Sequence, residues 1–196
     1  MVLHARLNKM KILTKTLLTI SVILISLSAQ AQKQDRVALS YGFGNGNFGS
    51  FLKGGSGNSY SQKSLNIFGL NFWHGLSKHL IFETGMQLIR YDYTTTYING
   101  TAPTNNTLNI ISVPFKFRLE AGDFIFINGG FSGDFSKGKQ NGIGGIGAGI
   151  GVGLQFKIIK EISFYINPQA NVHSAIPLRS LFAESNITFG LAYPLN

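Results

Sequence analysis

The feature that most constrains this chain is a period of two. Near its end Ile187, Phe189, Leu191, Tyr193 and Leu195 alternate with Asn186, Thr188, Gly190 and Ala192. Just upstream, Ile162, Phe164, Ile166, Ala170 and Val172 share one parity, while Ser163, Tyr165, Asn167, Gln169, Asn171 and His173 share the other. Successive side chains of a strand point to opposite faces, so these segments read as strands with one apolar and one polar face. From Asp35 onward no apolar pattern recurs at 3.6 residues, and no helix is expected.

Six further segments carry the same signal. In 146–158, Ile146, Ala148, Ile150, Val152, Leu154 and Phe156 oppose four glycines, Gln155 and Lys157. In 109–119, Ile111, Val113, Phe115, Phe117 and Leu119 oppose Ser112, Pro114, Lys116 and Arg118. In 36–44, Val37, Leu39, Tyr41 and Phe43 oppose Arg36, Ala38, Ser40 and Gly42. Segments 65–74, 80–93 and 124–135 are noisier; their outward residues are best drawn as Phe68, Leu70 and Phe72, then Phe82, Met86 and Leu88, then Ile125, Ile127 and Phe131.

Alternation also suits a soluble sandwich. Three features favour a membrane. Several strands approach the length of about ten residues that a tilted strand needs to cross the hydrocarbon layer. Short turns at Gly75–Lys78, Glu120–Asp123 and Ile159–Glu161 alternate with long polar connections at 45–64, 95–106, 136–145 and 174–185. Trp73, Tyr91, Tyr93 and Tyr193 fall near strand ends and read as rings at the two membrane interfaces. In lipid an unpaired backbone edge finds no water, so the sheet must close. The expected fold is all-β: an eight-stranded antiparallel up-and-down transmembrane β-barrel, its interior filled by side chains. Inward glycines at 149–153 then leave room for bulkier inward groups such as Tyr165 and Gln169.

The N-terminus matches a secretory signal peptide. Arg6, Lys9, Lys11 and Lys15 precede an apolar stretch from Leu17 to Leu27, followed by Ala29-Gln30-Ala31. About 11 apolar residues are too few for a spanning helix. Residues 1–31 are therefore read as a cleaved leader of a Gram-negative cell-envelope protein, and 32–196 as one barrel domain. A peptide starting at Met10 already has every required part. Cleavage removes four of the 17 Lys and Arg and no acid, leaving 13 basic against 8 acidic residues, or +5. That excess is spread along the chain and offers no case for nucleic acid. With no cysteine, a disulfide framework, a thiolate metal site and a lipid-anchor cysteine are all excluded.

Leu108–Leu119 (LNIISVPFKFRL), Ser28–Gln32 (SAQAQ) and the glycine-rich Gly144–Phe156 resemble the PorT-like outer-membrane β-barrel family of the Bacteroidetes type. The terminal Thr188, Gly190, Tyr193 and Leu195 resemble the signal that barrel-assembly machinery reads, although Asn196 replaces an aromatic terminus and Pro194 is unusual there. The resemblance implies a barrel in the outer membrane and no particular activity.

Few residues invite chemistry, and no cofactor is implied. Gly142–Gly153 (GIGGIGAGIGVG) lacks the strand-loop-helix setting of a phosphate-binding loop and reads as a glycine-faced strand. His173-Ser174 invites comparison with lipid-modifying enzymes of barrel rims. Adjacent strand residues face opposite ways, so the two converge only at a bulge, and Glu184 is the only local carboxylate. His74 and His79 flank a turn without a third ligand at metal spacing. Asn105-Asn106-Thr107 matches a glycosylation pattern that carries no weight in a bacterial barrel. Lys116 and Arg118 on an inward face need a counter-charge, and Glu83 on the preceding strand has the parity to supply it. Lys53, Lys63, Lys137, Lys139 and Arg179 fall in the long connections, where they would meet lipopolysaccharide phosphates. The expected role is non-enzymatic, structural or surface-interacting through extracellular loops. A narrow pore or a transport or secretion accessory is the alternative, and a lipid-modifying rim enzyme a third class.

Overall fold

A computed structural model describes residues 35–48, 59–97, 101–136, 144–159, 161–176 and 181–195. The expected signal peptide lies outside these residues, as do Lys53, Lys137, Lys139 and Arg179. Eight strands follow one another: β1 (Arg36–Phe48), β2 (Ser59–Gly75), β3 (Leu80–Thr96), β4 (Thr104–Ala121), β5 (Ile125–Ser136), β6 (Gly144–Lys157), β7 (Ser163–Ile176) and β8 (Phe182–Pro194). Each pairs antiparallel with its sequence neighbours, and β1 also pairs with β8 from Arg36↔Pro194 to Phe48↔Phe182. The sheet is closed, an up-and-down barrel, and every strand of it has two partners.

The faces follow the parity read from the sequence. Leu39, Phe68, Leu88, Phe115, Ile127, Ile150 and Leu191 all point outward and stay exposed, while Ala38, Ser112, Arg118 and Asn167 point inward and are buried. A closed barrel with an apolar outer belt inverts the usual globular arrangement, and a hydrocarbon surround is the solvent that suits it.

Most strands run longer than expected, β2 and β4 most of all, and on β2, β3 and β4 the alternation changes phase along the strand. Across the row Phe68↔Leu88↔Ile111 the outward residues are apolar. One step further from the turns, the row Asn66↔Arg90↔Asn109 is polar, and beyond it Ser64, Asp92 and Thr107 continue outward. The inward residues change in the opposite sense, to Ile67, Ile89 and Ile110, then Leu65, Tyr91 and Leu108. Above that boundary these three strands are apolar within and polar without, like those of a soluble barrel. These strand ends consume much of the loops read from the sequence: the long connections shrink to 49–58, 97–103, 137–143 and 177–181, the last no longer than the turn at 158–162.

Of the four aromatics read as interfacial, only Tyr193 faces outward. Trp73, Tyr91 and Tyr93 are buried inside the barrel. Their odd numbers already required this, since Phe68, Leu70, Met86 and Leu88 set even positions outward on β2 and β3.

Candidate functional site

The lumen is the chemically distinctive part of the molecule, and it is filled in layers. Towards the short turns, Trp73, Ile81, Phe126 and Tyr165 form an apolar floor with Ala38 and Ala192. Arg118 lies in that floor, fully buried, its Cζ 3.4 Å from the Phe126 ring centre and 4.3 Å from that of Trp73. Its Nη1 meets Glu83 Oε1 at 3.2 Å, its Nη2 donates to Gln155 Oε1 at 2.6 Å, and its Nε lies 3.6 Å from Glu120 Oε1. Glu120 in turn approaches Arg36 at 3.7 Å. Asn128 Nδ2 donates to Glu83 Oε2 at 2.8 Å. One guanidinium thus ties β3, β4 and β6 together while two aromatic faces exclude water from it.

Of the three charges read as a lumen cluster, Glu83 and Arg118 are in contact. Lys116 is the direct cross-strand partner of Glu83, yet its ammonium turns across the barrel, donating to Gln169 Oε1 at 2.8 Å and Asn171 Oδ1 at 3.2 Å. Asn171 and Asn186 both donate to Glu184 Oε1, at 2.9 and 3.0 Å, and Thr188 donates to Asn186 Oδ1 at 3.0 Å. The inward glycines of β6 make this packing possible. A Cβ on Gly151 would lie 2.6 Å from both Asn128 Oδ1 and Asn167 Oδ1, and one on Gly153 would strike the Phe126 ring. Tyr165 is accommodated by Gly190, whose own Cβ would collide with the phenol.

At the opposite end the lumen is divided. Leu65, Ile67, Ile89, Tyr91, Tyr93, Leu108 and Ile110 line the β2–β4 side with Phe182 of β8. On the other side His173 stands between two carboxylates, Nδ1 at 3.1 Å from Asp134 and Nε2 at 3.5 Å from Glu184. Ser112 donates to Asp134 at 2.7 Å. Phe182 joins the halves, its ring 4.9 Å from Tyr91 and 5.9 Å from His173.

The bulge needed to bring His173 and Ser174 to one face is present. Pairing of β6 with β7 jumps from Ala148↔Val172 to Ile146↔Ile176, and Ser174 takes a left-handed φ of 56°, so both side chains are buried. The backbone N–H of Ser174 donates to Asp134 at 3.3 Å. Asp134 escaped the sequence reading because it arrives from β5, 39 residues before the histidine; its inward parity opposite Gly145 was the available signal. A nucleophile's base needs one ring nitrogen free for the hydroxyl, and here a carboxylate faces each nitrogen. The same opposed placement keeps the acids from converging on one ion, and among the described residues no group of three His, Asp or Glu is set to hold a metal. His74 pairs with Asp35 at 2.8 Å, outside the lumen.

The residues of the assembly-type signal end the barrel. Thr188 and Gly190 face the lumen, whereas Tyr193 and Leu195 face outward; the Tyr193 hydroxyl donates to Glu161 at 3.3 Å, and the Leu195 N–H donates to the Asp35 carbonyl at 2.6 Å. Lys63 is exposed at the polar end of β2, its Nζ donating to Asn105 at 2.8 Å.

No protein-family model and no curated protein matches the chain. Solved structures do. The outer membrane protein OprG from Pseudomonas aeruginosa superposes with a TM-score of 0.54 over 85% of this chain and 98% of its own, at 10% identity. The fold is that of a small outer-membrane β-barrel. The outer membrane protein AlkL, solved in lipid bilayers, agrees at a TM-score of 0.51 over 84% of this chain and 91% of that one, with 9% identity. At such identities the likeness concerns the fold, and the lumen side chains described above are this chain's own.

Proposed function

We propose that this chain is a non-conducting, non-enzymatic barrel of the bacterial outer membrane that acts through its outer rim. The observation that carries the reading is the Arg118 layer, where a buried guanidinium held by Glu83 and Gln155 lies against Phe126 and Trp73. With the Tyr91–Phe182 layer above, the lumen has two successive obstructions. The crowded His173, flanked by acids on both sides, supports the non-enzymatic part.

The rim supplies the interacting surface. The ends of β2, β3 and β4 stand past the apolar belt and carry Lys63 and Arg90 outward, at the level where lipopolysaccharide phosphates lie. Lys53, Lys137, Lys139 and Arg179 belong to the connections at that same end. Residues 1–31 direct export and are cleaved off after Ala31, and insertion follows recognition of Thr188, Gly190, Tyr193 and Leu195 by barrel-assembly machinery. Leu108–Leu119 supports a PorT-like affiliation within the small outer-membrane barrels. The decisive experiment is conductance in planar bilayers: the refolded protein should give a flat current in salt solution. Discrete, reproducible openings would replace this reading with the narrow pore or transport accessory.

A further inference from the structure

The outward face of the barrel is not evenly filled. A cavity of about 250 Å³ is cut into it, bordered by Leu80, Phe117, Leu119, Ile127, Gly129 and Ile150. Asn128 also borders it, with its side chain turned inward to Glu83. Gly129 opens this notch, lying between Phe117 of β4 and Ile150 of β6 in the register. The backbone does not require a glycine there. The nearest neighbours of a Cβ on Gly129 would be Gly149 O at 3.4 Å, Ile150 Cγ1 at 3.8 Å and Ile150 Cα at 3.9 Å, ordinary contacts, at a φ any residue adopts. Its neighbour Gly130 differs, because a Cβ there would run into the β4 backbone at Phe115 and Lys116. Glycine in a strand interior costs stability and packs nothing, so Gly129 leaves a gap the sheet has no need of.

We propose that this notch binds one acyl chain of a phospholipid from the periplasmic leaflet. The proposal rests on the outer-membrane reading and its orientation. The notch lies within the apolar belt, where hydrocarbon is the surrounding medium, and its side-chain lining offers nothing to a headgroup. It sits near the short-turn end, since Leu80 opens β3 and Ile127 lies at the start of β5; that end is opposite the rim that meets lipopolysaccharide in the proposed orientation, which selects the periplasmic leaflet. An empty notch would leave its lining without contact partners, and a flexible chain fills it. A second copy of the barrel is a poor occupant, because a notch about one residue wide is far from the roughly 800 Å² per partner of a stable interface.

The test uses the full chain refolded into vesicles of phosphatidylethanolamine and phosphatidylglycerol, with a fraction of the phosphatidylethanolamine carrying a mid-chain diazirine. After photolysis, lipid adducts mapped by mass spectrometry should concentrate several-fold on Phe117, Ile127 and Ile150 relative to the β1–β8 wall. Gly129→Leu should abolish that excess and Gly129→Ala should reduce it, whereas Gly133→Leu, outward on the same strand but outside the notch, should leave it intact. Adducts spread evenly around the belt, or an excess untouched by Gly129→Leu, would each overturn the proposal. Heat-dependent gel mobility reads insertion separately: wild-type protein that never inserts refutes the membrane reading itself, while an inserted barrel with an even adduct pattern refutes only the notch.

Discussion

Glu83→Gln measures how dry the lumen is. Arg118 is fully buried and has two carboxylates near it, Glu83 at 3.2 Å and Glu120 at 3.6 Å, besides the Gln155 carbonyl at 2.6 Å. The substitution preserves shape and removes one of those two negative charges. Breaking a buried pair by deleting one partner costs about 3–5 kcal/mol. Glu120 retains part of the neutralisation, and Asn128 can also adapt. Its Nδ2 now donates to Glu83, while its Oδ1 has no hydrogen-bond partner, so turning the amide over lets it accept from the new side-chain amide. We therefore expect the low end, about 3 kcal/mol, a large share of the roughly 5–15 kcal/mol that a domain has. The assay is urea unfolding of the barrel folded in lipid vesicles, followed by the emission of Trp73, the single tryptophan, whose ring lies 4.3 Å from the guanidinium. Replacing both ends, Glu83→Leu with Arg118→Met, should recover much of the loss, because no unpaired charge then remains. A Glu83→Gln midpoint equal to wild type, with a double variant that is merely additive, would refute the dry pair and mean that water solvates Arg118.

Three further outcomes are expected. Gly153→Val should prevent refolding, seen as loss of the heat-shifted band on gels, because its side chain would occupy the space of the Phe126 ring; outward Gly133→Val should refold normally. Ser174→Gly should stabilise the barrel by up to about 1 kcal/mol in the same urea assay by relieving a left-handed φ, whereas Ser174→Val should destabilise it; the reverse order would show that the bulge is not strained. In this cysteine-free chain, Lys63→Cys should react with an impermeant maleimide on intact cells and Asp123→Cys only after lysis; the opposite pattern would invert the topology.

The membrane-spanning part of the fold was readable because each residue there has only two environments, lipid or lumen, and parity assigns them. Ile187–Leu195 and Ile162–His173 needed no tertiary information. The outer ends of β2–β4 were harder. Around Asn66, Arg90 and Asn109, still inside the segments read as strands, the alternation persists but its sense reverses, and beyond them the polar stretches 59–64 and 104–106 show no apolar face and read as loop. Trp73, Tyr91 and Tyr93 were misplaced by judging chemistry over parity. In the lumen, the Glu83–Arg118 contact was accessible because both residues lie on neighbouring strands with matching faces. The Asp134–His173 contact was not, since it depends on β5 reaching β7 across the interior of β6, made possible by Gly147, where any Cβ would collide with Asp134. The Lys116 turn towards Gln169 depends on competition among several acceptors, which no pattern encodes.

The two adjacent rows on β2–β4 act as a waterline inscribed on the protein. Sinking the barrel by one row would put Arg90, Asp92 and their neighbours into hydrocarbon, and lifting it by one row would expose Phe68, Leu88 and Ile111 to water. Either displacement is opposed on three adjoining strands at once, with an immersed arginine alone opposing by about 2–4 kcal/mol at the midplane and less near the surface. A closed, densely filled cylinder has little freedom to bend or shorten in response. When such a barrel meets a bilayer of the wrong thickness, the adjustment therefore falls to the surrounding lipid, which must thin or thicken around a float whose draught is fixed.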